Sequence, residues 1–310
     1  MRHLEFKKTV IFPLIILTAG IASCNKDDEP SVPQHEDFIV KDGVLVRYRG
    51  YGGEVVIPDN MGITEIKEEA FLNENYVKSI VIPDEVTKIG AGAFALCTEL
   101  VQINIPDGVK RIENATFINC SKLASIRIPD KVTYIGSSAF SGCRSLTEVN
   151  VPDKVTYIGS DAFSGCSSLT EIDIPAKVTY INIYAFNNCS GLVSVKIKDG
   201  VRRIDLYAFR NCTSLEYIEI PESIDYISGN AFQGCSRLSF VKVGWQQPLY
   251  LYSFNNPFGD VDLASATLIV PSGTYYYYSN IWVDFGTIIY DYQWESWYEY
   301  EEYYKKYNKD

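Results

Sequence analysis

A phenylalanine recurs every 23 residues along most of the chain, and this period constrains the fold more than any other feature of the sequence. A cysteine follows three residues after seven of the eight phenylalanines, and a leucine follows three residues after each of those cysteines. One unit of this length cannot bury its apolar face alone, so stacked units must share a continuous core. The period therefore predicts a repeat solenoid. The eight phenylalanines are Phe71, Phe94, Phe117, Phe140, Phe163, Phe186, Phe209 and Phe232.

Each unit is predicted to be rich in short extended segments, as residues 132–152 illustrate. Val149 and Val151 alternate with polar residues, which predicts a short strand with one buried face that ends at Pro152. The stretch "VTYIG" predicts a second short extended segment. The stretch "SSAFSGC" at 137–143 is predicted to form a single helical turn. The predicted fold class is a β-rich solenoid in which the main strands of successive units lie parallel.

The repeat pattern L-x-x-I-x-I-P-x-x-V-x-x-I-G-x-x-A-F-x-x-C resembles the BspA-like class of leucine-rich repeats, which occurs in surface proteins of bacteria. Residues 155–163 and 169–175 match it position by position. The segment 38–58 resembles the N-terminal hairpin cap of that family, and 266–288 resembles its closing hairpin. The resemblance implies a right-handed stack of eight units between hairpin caps. It also implies a binding or adhesive role, because no catalytic residues define the family.

The amino terminus is predicted to direct export and lipidation. A positively charged start precedes the apolar stretch Val10–Leu17, which is too short to span a bilayer as a helix. The segment "IASC" resembles a bacterial lipobox, in which Cys24 would receive the lipid; the alternative is an ordinary cleaved signal peptide. The acidic tether that follows resembles the export signal of Bacteroidetes surface lipoproteins, carried here by Lys26, Asp27, Asp28 and Glu29. We therefore expect a lipid anchor in the outer membrane, with the protein facing the cell exterior.

These features divide the chain into six predicted segments. They are a lipoprotein signal peptide at 1–23, an acidic tether at 24–37, an N-terminal hairpin cap at 38–56, eight leucine-rich repeats at 57–243, a C-terminal cap at 244–289 and an aromatic tail at 290–310.

The charge and the histidine content argue against nucleic-acid binding and catalysis. The formal net charge is −11, which would repel a phosphate backbone. The two histidines, His3 and His35, precede the repeats, so the repeat cysteines have neither a general base nor an imidazole co-ligand. We predict no enzymatic activity, no cofactor and no metal. Buried free thiols are favoured over disulfides between neighbouring units, which remain open, for Cys97, Cys120, Cys143, Cys166, Cys189, Cys212 and Cys235.

Two outward-facing columns of the repeats are candidate binding surfaces. On the second extended segment the candidates are Tyr134, Tyr157, Tyr180, Arg203 and Tyr226. A row of tyrosines suits sugar rings or a protein partner, although repeat duplication alone would also produce such a ladder.

The main strand adds two aromatic candidates and a group of carboxylates on its outward face. The aromatic candidates are Tyr217 and Phe240. Glu148, Glu171 and Asp173 form an acidic cluster, which is either a solvated face, a cation site, a surface for a basic partner or a carboxylate pair for glycoside hydrolysis.

The tail contributes further aromatic residues. Trp294, Trp297, Tyr300 and Tyr304 are candidates for binding, for covering the open end of the solenoid, or for both. The function predicted from the whole sequence is a cell-surface lipoprotein that acts as a non-catalytic scaffold for an extracellular or host protein, or a glycan. The alternative is a structural or assembly lipoprotein that faces the periplasm.

Overall fold

The computed structural model describes residues 35–249, 256–274, 277–279, 282 and 284–291. Within these residues the chain winds as a parallel β-solenoid with very little helix. This confirms the β-rich repeat solenoid that the sequence predicts. Each coil contributes a strand to a first ladder, turns, contributes a shorter strand to a second ladder, and returns through a series of turns.

The first ladder contains the longer strand of each coil and consists of three parallel sheets. Its outward residues are mostly polar and its inward residues are buried, as in Glu171–Ile174. Its strands are β3 (Gly53–Val56), β5 (Val77–Val81), β7 (Gln102–Ile103), β9 (Ser125–Arg127), β11 (Glu148–Asn150), β13 (Glu171–Ile174), β15 (Ser194–Ile197), β17 (Tyr217–Ile220), β19 (Phe240–Val243), β20 (Thr267–Val270) and β21 (Thr287–Tyr290).

The second ladder follows around the coil and consists mainly of two-residue strands, each with one outward and one buried side chain. An isoleucine fills the buried position in every one of these two-residue strands. Its strands are β1 (Phe38–Lys41), β2 (Val44–Tyr48), β4 (Glu65–Ile66), β6 (Lys88–Ile89), β8 (Arg111–Ile112), β10 (Tyr134–Ile135), β12 (Tyr157–Ile158), β14 (Tyr180–Ile181), β16 (Arg203–Ile204) and β18 (Tyr226–Ile227).

An antiparallel hairpin begins the second ladder. β1 and β2 are joined by Asp42 and Gly43, whose φ angles of 51° and 75° suit the tight turns that connect twisted strands. β2 then pairs in parallel with β4, so the hairpin provides the first rung of the stack. In the described part of the chain, three short 3-10 helices lie outside the ladders, at His35–Asp37, Asp59–Met61 and Leu263–Ser265.

The core is a column of stacked aromatic rings along the solenoid axis. Neighbouring phenylalanines of the eight-member series lie 5.2 to 5.5 Å apart between ring centroids, and each is fully buried. The column continues onto Tyr48 at one end and Phe258 at the other, which the 23-residue period does not indicate. Removing one buried phenylalanine side chain typically costs about 3–5 kcal/mol, so each ring of the column contributes strongly to stability.

The predicted helical turn at 137–143 is wrong. The segment forms successive hydrogen-bonded turns, in which the Ala139 amide donates to the Gly136 carbonyl at 3.3 Å. The Phe140 amide donates instead to Ala162 of the next coil at 2.7 Å, so bonds within a coil alternate with bonds between coils. Ser138 has a left-handed backbone with φ of 55°, which a right-handed helix excludes. The turns therefore form a third hydrogen-bonded side of the stack, here called the turn face.

The predicted closing hairpin at 266–288 is also wrong, because β20 and β21 run parallel. Thr267 of β20 pairs with Thr287 of β21, and Phe240 of β19 pairs with Thr267 of β20. A hairpin needs a short turn, whereas the segment between Val270 and Thr287 is long enough for the chain to cross back to the start of a new coil. The first ladder therefore continues through the predicted C-terminal cap with coils of irregular length, and no antiparallel pair closes it within the described residues.

Candidate functional site

The outward column of the second ladder brings the predicted tyrosines together. Strand alternation buries the isoleucine of each two-residue strand and turns its neighbour toward solvent. Parallel pairing then places equivalent residues of successive coils side by side, as for Tyr134 and Tyr157. We call the central part of this column the aromatic stripe. Its members are Arg111, Tyr134, Tyr157, Tyr180, Arg203 and Tyr226.

The rings of the stripe are largely engaged with one another and with arginine. Tyr134 and Tyr157 stack with centroids 4.9 Å apart and planes within 6°. The guanidinium carbon of Arg111 lies 3.7 Å from the centroid of the Tyr134 ring, on the face opposite Tyr157. Arg203 covers Tyr226 in the same way at 4.4 Å. These contacts occupy both faces of Tyr134 and one face each of Tyr157 and Tyr226.

Tyr180 is the most exposed member of the stripe, with 51% of its surface accessible. Among the described residues its ring does not stack on that of Tyr157, and it lies between the Arg111–Tyr134–Tyr157 stack and the Arg203–Tyr226 pair. The two arginines are fixed by carboxylates of their own coils, Arg111 by Glu113 at 2.7 Å and Arg203 by Asp205. The stripe therefore combines pre-ordered arginines with one freely accessible ring.

Tyr217 and Phe240 lie on the other ladder and are separate from the stripe. They face each other in register on β17 and β19, and both are half-buried. Burial, followed by the nearby carboxylate of Glu219, raises the pKa of Tyr217. Lys242 contributes ion pairs to Glu219 at 3.3 Å and to Asp291 at 3.1 Å. This end of the first ladder is a network of internal contacts, so it offers less open surface than the alternation of residues implies.

The acidic cluster of the first ladder is fully open to solvent. Glu148, Glu171 and Asp173 are all exposed, and Lys196 is the cross-strand neighbour of Asp173. Glycoside hydrolysis requires two carboxyl groups in different environments, which an open strand face does not provide here. Within the described part of the chain, no group of three or more histidine, cysteine, aspartate or glutamate side chains is arranged to hold a metal ion.

The seven repeat cysteines are buried and free, and each occupies the same structural position. The thiol of Cys166 donates to the carbonyl oxygen of Phe140 at 3.2 Å, and the other six make the equivalent contact at 3.1 to 3.3 Å. Burial raises the pKa of the Cys143 and Cys189 thiols to about 12. The cysteine is therefore a small buried donor that completes the hydrogen bonding between coils.

Several predicted site residues lie outside the described residues. They are the lipidation candidate Cys24, the export candidates Lys26, Asp27, Asp28 and Glu29, and the tail candidates Trp294, Trp297, Tyr300 and Tyr304. Where the structure describes the chain, no helical segment has both the length and the apolar character of a membrane span.

One surface cluster was missed by the sequence analysis. On the turn face, Tyr184 and Tyr207 stack at 5.2 Å, and the guanidinium carbon of Arg210 lies 5.1 Å from the Tyr207 ring. The detectable signal was a departure from the repeat pattern: "NIYAF" and "DLYAF" stand where neighbouring units read "GSSAF" and "GSDAF".

The comparisons with known proteins agree with this architecture. The family model described as the BspA type leucine rich repeat region matches in six copies, over residues 53–170 and 156–256. No protein with a curated description matches the chain.

Two solved structures illustrate the likeness. A leucine-rich repeat protein of T. pallidum is 28% identical, with 67% of this chain and 91% of that chain covered and a TM-score of 0.53. A leucine-rich repeat protein from Bacteroides ovatus is 25% identical, with 81% and 74% covered and a TM-score of 0.53. The family model spans more than half of the sequence, and the coils it spans carry the two ladders and the phenylalanine column described above. The chain therefore belongs to the BspA-type leucine-rich repeat family.

Proposed function

We propose that this protein is a lipid-anchored, non-catalytic scaffold at the cell surface that binds an extracellular protein through the aromatic stripe. The observation that carries the proposal is the arrangement of Arg111, Tyr134 and Tyr157 as one ordered stack beside the accessible ring of Tyr180. Tyrosine and arginine are enriched in the hot spots of protein interfaces, and side chains that are already ordered lose less entropy on binding.

The occupied ring faces favour a protein over a glycan as the ligand. A sugar ring packs against an open aromatic face, but both faces of Tyr134 and one face of Tyr157 are already covered within the stack. At this stack the ring edges, the hydroxyl groups and the guanidinium group remain, and these suit the hydrogen bonds and apolar contacts of a protein surface. A glycan stays the second candidate, because Tyr180 retains an accessible ring.

Binding is tested by presenting the mature chain to a panel of extracellular matrix proteins and, in parallel, to a glycan array. We expect a protein ligand whose affinity falls at least about tenfold in Tyr157→Ser/Tyr180→Ser, since exposed hot-spot aromatics contribute about 2 kcal/mol or more. Glu171→Gln, on the first ladder, is the matched control and should bind normally. Equal binding by the stripe variant, or retention of glycans alone, would contradict the proposal.

Anchoring is supported by the resemblance of "IASC" to a lipobox and of Lys26, Asp27, Asp28 and Glu29 to a surface-export signal. Protease added to intact cells should digest the repeats of the native protein. Replacing the four export residues with alanine should protect the repeats, and Cys24→Ser should abolish incorporation of labelled fatty acid. Protection of the native protein while the outer membrane is intact would favour the second candidate function, a structural or assembly lipoprotein facing the periplasm.

A further inference from the structure

Two consecutive coils depart from the rest of the repeat on the turn face. The two positions that precede the alanine–phenylalanine pair hold small or polar residues in the coils of Phe140 and Phe163, namely Ser137, Ser138, Ser160 and Asp161. In the next two coils the same positions hold Ile183–Tyr184 and Leu206–Tyr207. Ile183 is 41% exposed, and the other three residues are half-buried. Large apolar groups therefore gather at turn-face positions that are polar in the two preceding coils.

The backbone makes tyrosine an unfavourable choice at these positions. Tyr184 and Tyr207 have φ angles of 58° and 59°, in the left-handed region. The fold imposes this conformation on the equivalent position of every coil, which has φ angles of 55° to 61° and elsewhere holds small or polar residues. These residues are Glu69, Gly92, Ala115, Ser138, Asp161 and Asn230. Asparagine and aspartate tolerate the left-handed region, whereas a bulky side chain there is an outlier. Strained residues of this kind concentrate at functional sites.

Arg210 places a positive charge without a carboxylate partner, among the described residues, next to the cluster. Its guanidinium lies beside the Tyr207 ring, and it forms an ion pair with no carboxylate among the described residues. Its Nε is buried and has no hydrogen-bond partner in that part of the chain. The Oδ1 of Asn187, at the equivalent position of the preceding coil, is likewise buried without a partner there, so the buried Nε faces the interior of the stack and not a ligand. A ligand carboxylate would instead pair with the outer nitrogens of the Arg210 guanidinium, because a charge-assisted hydrogen bond to arginine is stronger than a neutral one.

We propose that Ile183, Tyr184, Leu206, Tyr207 and Arg210, here called the turn-face patch, dock a protein segment that presents an aromatic or large aliphatic side chain next to a carboxylate. This inference deepens the proposed function and rests on its premise that the scaffold binds proteins. The apolar side chain packs against the two tyrosines and Ile183, and the carboxylate pairs with Arg210. The orientation is fixed because Asp161 occupies the opposite end of the same surface and repels a carboxylate there.

The test is selection from a random peptide library on the full chain, purified in detergent and immobilised through its N-terminal segment. Enriched peptides are synthesised in two forms, with the acidic residue intact and with the corresponding amide. Binding is then measured to the native chain, to Tyr184→Asn/Tyr207→Asn, to Arg210→Gln and to Ser138→Asn. Asparagine and glutamine are the residues of the neighbouring coil, Asn230 and Gln233, so these variants should fold.

We expect enriched peptides to pair a carboxylate with an apolar residue. Binding should weaken at least about tenfold in Tyr184→Asn/Tyr207→Asn and stay unchanged in Ser138→Asn, which alters the same backbone position in a coil without the patch. The acid form should bind the native chain more tightly than the amide form, and this preference should vanish in Arg210→Gln. Failure to enrich any peptide, equal binding to the tyrosine variant, or a preference that survives Arg210→Gln would each overturn the proposal.

The same experiment separates this inference from the proposed function of the stripe. Peptide binding is also measured to the variant Tyr157→Ser/Tyr180→Ser, which alters the aromatic stripe and leaves the turn-face patch unchanged. Peptide binding lost in that variant but kept in Tyr184→Asn/Tyr207→Asn would refute the patch and support the stripe. The reverse result would support the patch, while the matrix-protein panel decides the function of the stripe independently.

Discussion

The coils around Phe140 and Phe163 and the coils around Phe186 and Phe209 have the same interior and different exteriors. All four bury a phenylalanine, a cysteine and a leucine at equivalent positions, and their rings stack at nearly constant spacing. On the turn face the first pair carries serine and aspartate, whereas the second carries isoleucine, leucine and two tyrosines. In a solenoid the core enforces the period and the surface is free to vary, so a local departure on the surface is more informative about function than the repeat itself.

The largest effect expected in both regions is a loss of stability at alkaline pH. Burial raises the pKa of the Cys143 and Cys189 thiols to about 12. It also raises the pKa of the Cys120, Cys166 and Cys212 thiols well above the usual value of 9.0. Above pH 9 the unfolded chain loses thiol protons that the folded chain retains, so the free energy of unfolding falls as the pH rises. The loss approaches about 1.4 kcal/mol per thiol for each pH unit, and it is absent below pH 9.

The two regions should contribute equally to this loss of stability at alkaline pH. Alanine at Cys143 and Cys166, or at Cys189 and Cys212, should reduce the alkaline slope by equal amounts, because the thiols in both regions make the same buried contact. Urea titrations between pH 7 and pH 11 measure the slope. A slope that is the same with and without the cysteines would show that the thiols are not buried as described.

Truncating the aromatic column should be the next largest effect. Phe163→Ala and Phe209→Ala should each lower the free energy of unfolding by about 3–5 kcal/mol, since each ring is buried between two others. Chemical denaturation followed by circular dichroism gives the two values. If the free energies of unfolding of the two variants differ by much more than about 1 kcal/mol, the interiors of the two regions are not equivalent.

Exchanging the exteriors should change stability far less. In Tyr184→Asn/Tyr207→Asn the lost ring stacking, about 0.5–1.5 kcal/mol, is offset by relief of two left-handed tyrosines at about 1–2 kcal/mol each. We expect stability equal to or slightly above that of the native chain. The reverse exchange, Ser138→Tyr, places a bulky ring on a backbone that is already left-handed and gives it no stacking partner, so it should destabilise by about 1 kcal/mol, as measured by thermal unfolding.

The smallest effect should come from the arginines that cover the tyrosines. Arg111→Gln removes a guanidinium from an exposed ring and should cost less than about 1 kcal/mol. Arg210→Gln should cost no more, because the lost ring contact is countered by removal of an unpaired charge. A loss of several kcal/mol for Arg210 alone would indicate an internal structural role instead of a docking role.

The sequence predicted the interior well because each buried position recurs at one interval. Phe163, Cys166 and Leu169 could be assigned to the core from the period alone, and all three are buried. The left-handed turn does not follow from Ser138 itself, but equivalent positions hold Gly92, Asp161 and Asn230, which are residue types that favour this backbone and were the available signal. The parallel pairing of β20 with β21 was missed because the coils there abandon the 23-residue interval.

The candidate site was only partly predictable for a similar reason. Strand alternation correctly turned Tyr157 outward, but the stacking of its ring on Tyr134 depends on rotamers that alternation does not specify. Tyr184 and Tyr207 were overlooked because they lie in the turn segment, where no strand period marks a residue as exposed. Their distinguishing property, a bulky side chain on a left-handed backbone, is visible only in the structure.

The most direct test of this account converts the turn face of the second region into that of the first. A variant in which Ile183, Tyr184, Leu206, Tyr207 and Arg210 become Ser, Asp, Ser, Asp and Ser should keep the stacked core and unfold within a few degrees of the native chain. The account predicts that this variant no longer binds the acidic–apolar peptides selected on the native chain. Retention of that binding at native affinity would contradict the claim that recognition lies where the exterior departs from the repeat.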